Sequence, residues 1–91
     1  MYYFNVYYHL LPGKRDEFMK KLSELKVAEL SREEDGCLQY DYFVSVDSPD
    51  ILLLAECWRD EEAQKAHCSS SHCLALQQIK AQYVEKTEFK K

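Results

Sequence analysis

The chain opens on Tyr2-Tyr-Phe-Asn-Val-Tyr-Tyr-His-Leu10, aromatic and β-branched, with no breaker before Pro12-Gly13. Such a run predicts a strand closed by a turn. Alternation puts Tyr2, Phe4, Val6, Tyr8 and Leu10 on one face and Tyr3, Asn5, Tyr7 and His9 on the other. Neither set is made for water, so both faces should be covered. From Lys14 to about Arg32 the spacing changes: Phe18, Leu22, Leu25 and Ala28 recur at helical intervals among Lys20, Lys21, Glu24 and Lys26. This predicts one amphipathic helix about five turns long. The segment ends at Gly36, after Glu33-Glu34-Asp35.

Residues 37 to 46 and 51 to 58 flank Asp47-Ser-Pro-Asp50, a turn-forming sequence that predicts an antiparallel hairpin. In its second strand Ile51, Leu53, Ala55 and Cys57 alternate with Leu52, Leu54, Glu56 and Trp58, and again both faces need cover. Asp60 is placed to cap a short helix, with Glu61 and Glu62 in the first turn where the helix dipole favours acids. Ser69-Ser70-Ser71 offers a second set of caps, after which His72, Leu76, Ile79 and Tyr83 form one inward stripe. Residues 83 to 89 read as a final strand with the charged pattern of an edge.

The order strand, helix, strand, strand, helix, strand is the split βαβ of a ferredoxin-like α+β fold, with a four-stranded antiparallel sheet. Helices of such a fold cover only one side of the sheet. A second copy packed sheet against sheet would cover the other, which predicts a homodimer.

Ninety-one residues predict one domain spanning 1–91. The net charge of -4 comes from interspersed acids and bases without a basic stripe, which argues against nucleic acid as a partner. The N-terminus has neither a basic leader nor a cleavage site, and no run approaches a membrane span, so a soluble cytoplasmic protein is expected. The four cysteines are then reduced thiols of packing or surface.

Reactive side chains gather between residues 56 and 72, which hold the only Trp, two of the three His and two of the four Cys. His67 and His72 flank a helix break, so both rings could enter one space as general acid and base. Periodicity alone reads equally well as two core histidines. Glu56 interrupts an apolar face, and a carboxylate there must be hydrogen-bonded or have its pKa raised. It either bonds helix-start amides, Arg59 or His67 structurally, or orients a histidine and takes a proton. Trp58 is a pocket wall or plain core. Asn5, His9 and Tyr40 are strand residues that could face a cavity, packing being the stronger reading for Tyr40. The repeated pairs His67-Cys68 and His72-Cys73 raise the question of zinc. Adjacent helical residues diverge, however, and no CxxC knuckle is present, so no metal is expected. The absence of a Gly-rich phosphate loop or nucleophile elbow argues against a nucleotide cofactor.

The run Pro12 to Phe18, then Glu33, Gly36-Cys37-Leu38, Tyr40, Glu56-x-Trp58, Asp60, His67 and His72 resembles the antibiotic biosynthesis monooxygenase (ABM) family of small dimeric α+β barrels. The resemblance runs along nearly the whole chain. It implies a cavity between sheet and helices, protomers joined through their sheets, and one of three chemistries. Quinol or anthrone monooxygenases use O2 without metal or flavin; here His67 and His72 would relay protons, Glu56 would orient one of them, and Trp58, Tyr40 and Asn5 would line the substrate site. A second branch isomerises a phosphorylated autoinducer sugar derivative and would need a cationic clamp from Arg59, Lys65 or Lys80. A third degrades heme, but His67 stands where that branch has its Trp, and Gln77 or Gln78 where it has a His ligand, which disfavours it. A non-catalytic small-molecule-binding or stress-response dimer is the alternative to all three.

Overall fold

The computed structural model describes residues 1–91 as β1 (Tyr2–Leu10), α1 (Arg15–Glu24), α2 (Val27–Arg32), β2 (Cys37–Val44), β3 (Ile51–Trp58), α3 (Glu61–Cys68), α4 (Ser71–Lys80) and β4 (Val84–Lys90). The four strands form one sheet in the order β2-β3-β1-β4, every neighbouring pair antiparallel. This is the ferredoxin-like α+β arrangement expected from the element order.

The single five-turn helix expected over 14 to 32 is instead two helices. Lys26 adopts the left-handed conformation (φ 54°, ψ 38°) between them. The reason lies in the burial pattern. Phe18 and Val27 are both fully buried, yet nine residues at 3.6 per turn would set them about 180° apart on one straight helix. Breaking the helix at Lys26 lets α1 bury Phe18 and Leu22 while α2 buries Val27, Ala28 and Ser31.

The four helices lie on one face of the sheet. Phe4, Val6, Tyr8 and Leu10 of β1 point toward them, with Leu52, Leu54, Glu56 and Trp58 of β3 and Tyr40 of β2 on the same side. Tyr3, Asn5, Tyr7 and His9 point the other way. That second face carries Ile51, Leu53 and Ala55 half-buried, and leaves Tyr3 60% and Phe43 49% exposed. No helix is long and apolar enough to cross a membrane.

Gly36 joins the α2 end of the fold to α3. It has φ 86°, and a Cβ built on it would lie 2.7 Å from the Cβ of Ala63; its carbonyl accepts from the Arg59 N–H at 2.7 Å. Gly13 is also left-handed (φ 75°) but has open space around it. Gly36→Ala is therefore expected to lose roughly 2 to 4 kcal/mol, backbone strain and overpacking together, and Gly13→Ala only about 1 kcal/mol of strain. Urea unfolding midpoints of the two variants measure the difference.

Candidate functional site

Local chemistry fixes the two helix starts that carry the histidines. The Asp60 side chain accepts from the Ala63 N–H at 2.9 Å and caps α3, setting His67 in the last turn of that helix. Ser70 then closes one helix and opens the next: its hydroxyl donates to the His67 carbonyl at 2.6 Å and accepts from the Cys73 N–H at 3.3 Å. Only Ser69 and Ser70 separate α3 from α4, so the rings of His67 and His72 come to rest with centroids 5.6 Å apart. Their side chains are 5% and 9% exposed.

The group that joins them is Glu34, in the link between α2 and β2. Its Oε2 lies 2.6 Å from His67 Nδ1 and 2.7 Å from His72 Nε2. A carboxylate oxygen accepts only, so both rings donate to it, and the network assigns the proton to Nδ1 of His67 and Nε2 of His72. His67 Nε2 and His72 Nδ1 make no hydrogen bond within the chain. Packing holds the His67 ring in this pose. Trp58 lies against it with centroids 4.8 Å apart, and Tyr40 meets it edge-on at 5.4 Å.

Glu56 sits beside this group on β3, opposite Phe4 of β1 and Tyr40 of β2. Its Oε1 accepts from the Trp58 indole N–H at 2.9 Å, and it bonds neither histidine. Burial pushes its carboxyl up to about 7; the indole bond pulls it back, and the charge of Glu34 adds to the rise. Burial likewise raises Tyr8, Tyr40 and Tyr42 far above the usual phenol range, so all three remain hydrogen-bond donors at neutral pH. The hydroxyl of Tyr42 is buried without a partner.

Two recesses are related to the group, one through Tyr42 and Tyr40 and the other through Glu34, and neither is lined by His67 or His72. A cleft of about 130 Å³ is lined by Met19, Leu22, Ser23, Ala28, Glu29 and Tyr42; Tyr42 packs edge-on against Tyr40, which in turn touches His67. A shallower depression of about 310 Å³ opens on Glu34 and is lined also by Asp35, Arg59, Asp60, Glu62, Ala63 and Ala66. Arg59 is committed there, to Asp35 at 3.2 Å and Asp60 at 3.4 Å.

Of the residues that the sequence singled out, His67, His72, Trp58 and Tyr40 meet in one place, with Glu56 linked through the Trp58 indole. Asn5 does not join them. It pairs with Ala55 on the opposite face of the sheet, where His9 also lies, paired with Ile51 and with its ring in contact with Glu88. The carboxylate that orients the histidines is Glu34 rather than Glu56. Glu33, the acid in the motif that carried the family resemblance, is exposed. Sequence reasoning also passed over Tyr42, although it shares a face with Tyr40 by simple alternation.

Comparison with known proteins identifies the family and supports the fold. The sequence profile described as antibiotic biosynthesis monooxygenase matches residues 1–79. A Bacillus subtilis protein described as "Putative monooxygenase YcnE" is 36% identical over 66 residues, which are 72% of this chain and 67% of the relative. A second B. subtilis protein, "Uncharacterized protein YjcS", is 30% identical over 70 residues, 77% of this chain, and the chain spans 65% of that relative's length. Among solved structures, one described as antibiotic biosynthesis monooxygenase superposes with a TM-score of 0.86 at 26% identity, covering 98% of this chain and 93% of the other. A conserved protein from Methanosarcina mazei Go1 superposes with a TM-score of 0.82 at 28% identity, covering 98% and 89%.

The raised pKa of Glu56 has a direct stability consequence. Unfolded, the carboxyl ionises near its ordinary value of 4.5; folded, near 7. The cost of burying its charge is absent below pH 4.5, grows between the two values and is full above the upper one. Glu56→Gln, which keeps an acceptor for the indole, should raise stability at pH 8 by up to roughly 3 kcal/mol and change it little at pH 4. Chemical denaturation of both proteins across that range tests the sign.

Proposed function

Because the chain belongs to the antibiotic biosynthesis monooxygenase family, we propose that it is a cofactor-free monooxygenase acting with O2 on a small electron-rich aromatic of the quinol or anthrone type. The observation that carries this reading is the single Glu34 oxygen that holds both histidines while leaving His67 Nε2 without a partner. That is the arrangement of a general base: a carboxylate fixes the tautomer and stabilises the imidazolium that forms when the far nitrogen takes a proton.

Removing a proton from the substrate raises its electron density enough for it to reduce O2. Where a ring CH2 becomes a carbonyl, one oxygen atom stays on that carbon and the other leaves as water with both hydrogens, so no outside reductant enters the balance. Glu56, with a carboxyl near 7, can return a proton to the developing oxyanion. The cleft beside Tyr42 is about the size of cavities that take up one benzene ring, and the Tyr42 hydroxyl, which has no partner within the chain, would donate to a phenolic oxygen bound there.

The surroundings favour this over an isomerase of a phosphorylated sugar derivative. A phosphate approaching through the depression would meet Glu34, Asp35, Asp60 and Glu62, with only Arg59 to attract it, and that guanidinium is already paired twice. We further propose a homodimer joined through the open sheet face, whose Tyr3, Phe43, Ile51 and Leu53 form an apolar surface no element of the chain covers. A cytoplasmic location fits the four free thiols.

Oxygen uptake with a panel of one-ring and three-ring quinols is the direct test. Wild type should exceed spontaneous oxidation with at least one of them, and His67→Gln or Glu34→Gln should lower the rate about 100-fold or more. No excess over background with any substrate would remove the monooxygenase reading and leave a binding protein. For the dimer, sedimentation should give twice the 10.8 kDa chain mass, with Phe43→Asp shifting it toward one chain; a wild-type mass of one chain would exclude the interface.

A further inference from the structure

We propose that Glu34, His67 and His72 form a binding site for one divalent first-row transition ion of the Zn2+ and Co2+ class. Within His67-Cys68 and His72-Cys73 alone, neighbouring ligands diverge and no metal is expected. The fold changes the donor set by bringing Glu34 from a different part of the chain, so that the ligand atoms of all three residues lie within 4.8 Å of one another.

Their directions suit an ion as well as their distances. His67 Nδ1 and His72 Nε2 both address one point, now occupied by Glu34 Oε2 at 2.6 and 2.7 Å. An ion at about 2.0 to 2.1 Å from imidazole nitrogen would replace the two ring protons near that point, with the carboxylate drawing back to ligate it. The second oxygen of Glu34 makes no hydrogen bond within the chain and is free to take part. Two imidazoles and one carboxylate suit zinc, cobalt, nickel, copper or iron, and give too few oxygens for calcium or magnesium.

The surroundings have the features that a metal site needs. Trp58 and Tyr40 pack against the His67 ring and hold it before the ion arrives, while the Ser70 hydroxyl, 3.2 Å from the ligating His72 Nε2, would yield its place to the ion. The depression that opens on Glu34 supplies a way in. It presents four carboxylates to one guanidinium, a field that attracts cations. Three protein ligands leave at least one coordination position for water.

The ion would take His67 Nδ1 and His72 Nε2, the two nitrogens that Glu34 now holds, and would so displace the carboxylate contact that stabilises the imidazolium when His67 Nε2 takes a proton. The binding itself is measured without any substrate, and loss of the monooxygenase reading leaves the site standing. Chelator-stripped protein is titrated with Co2+, followed by visible absorption, and with Zn2+, followed by calorimetry. One ion per chain is expected, with the d–d bands of four- or five-coordinate cobalt and no thiolate-to-cobalt charge transfer. Glu34→Gln and His72→Ala, checked for fold by circular dichroism, should each weaken binding about 100-fold or more, while Cys68→Ser, at an exposed thiol, should leave it unchanged. Absence of saturable binding would overturn the proposal. So would a thiolate charge-transfer band, or affinity retained in the folded Glu34→Gln and His72→Ala proteins.

Discussion

The candidate site is held together by one oxygen atom. Glu34 Oε2 accepts from His67 and His72 at once, and in doing so ties the link before β2 to α3 and α4. A buried carboxylate needs strong donors to offset its desolvation, and two buried imidazole N–H groups supply them. The dependence runs in both directions. Without Glu34 both rings would carry a buried N–H with no acceptor, and without the rings Glu34 would be a largely buried charge with no donor. The capping bonds of Asp60 and Ser70 make this possible, because they set where α3 starts and how sharply α4 turns away from it.

Two carboxylates in the same neighbourhood are thereby given opposite characters. Glu34 is solvated on one side and receives two charge-stabilising hydrogen bonds. Glu56 is shut into the sheet-to-helix core with a single indole donor, and its carboxyl is pushed up to about 7. A carboxyl raised by burial to about 7 can hold a proton near neutral pH. The ring of Trp58 connects the two, its N–H to Glu56 and its face to His67, so the least reactive aromatic in the group sets the spacing of the reactive ones.

Much of the fold was legible in the sequence because it follows from period. Alternation in residues 2 to 10 and 51 to 58, the caps at Asp60 and Ser70, and the stripe from His72 to Tyr83 each describe a local preference that the tertiary structure keeps. The break at Lys26 was not legible, since it depends on Val27 and Phe18 both being buried, a fact about packing rather than pattern. Alternation also separates Asn5 from Phe4 without saying which of them faces the helices; only the placement of α1 to α4 decides that. Glu34 was the hardest to see. In the run Glu33-Glu34-Asp35 it looks like the solvated end of a helix, and its partners stand 33 and 38 positions away. No local rule distinguishes it from Glu33, which is exposed.

The same long separation explains why the site is well held although its parts are small. A histidine on a short helix is a poor catalytic group when its ring can rotate. Here each ring is restrained twice: by the Glu34 oxygen from one side, and by Trp58 and Tyr40 or by Ser70 from another. Strand residues supply the aromatic restraints, Trp58 from the end of β3 and Tyr40 from β2, whereas the carboxylate comes from the segment between α2 and β2. A base in the proposed reaction must give up its proton again with its ring unmoved, and an imidazole held by aromatic packing on one side and a carboxylate oxygen on the other meets that requirement.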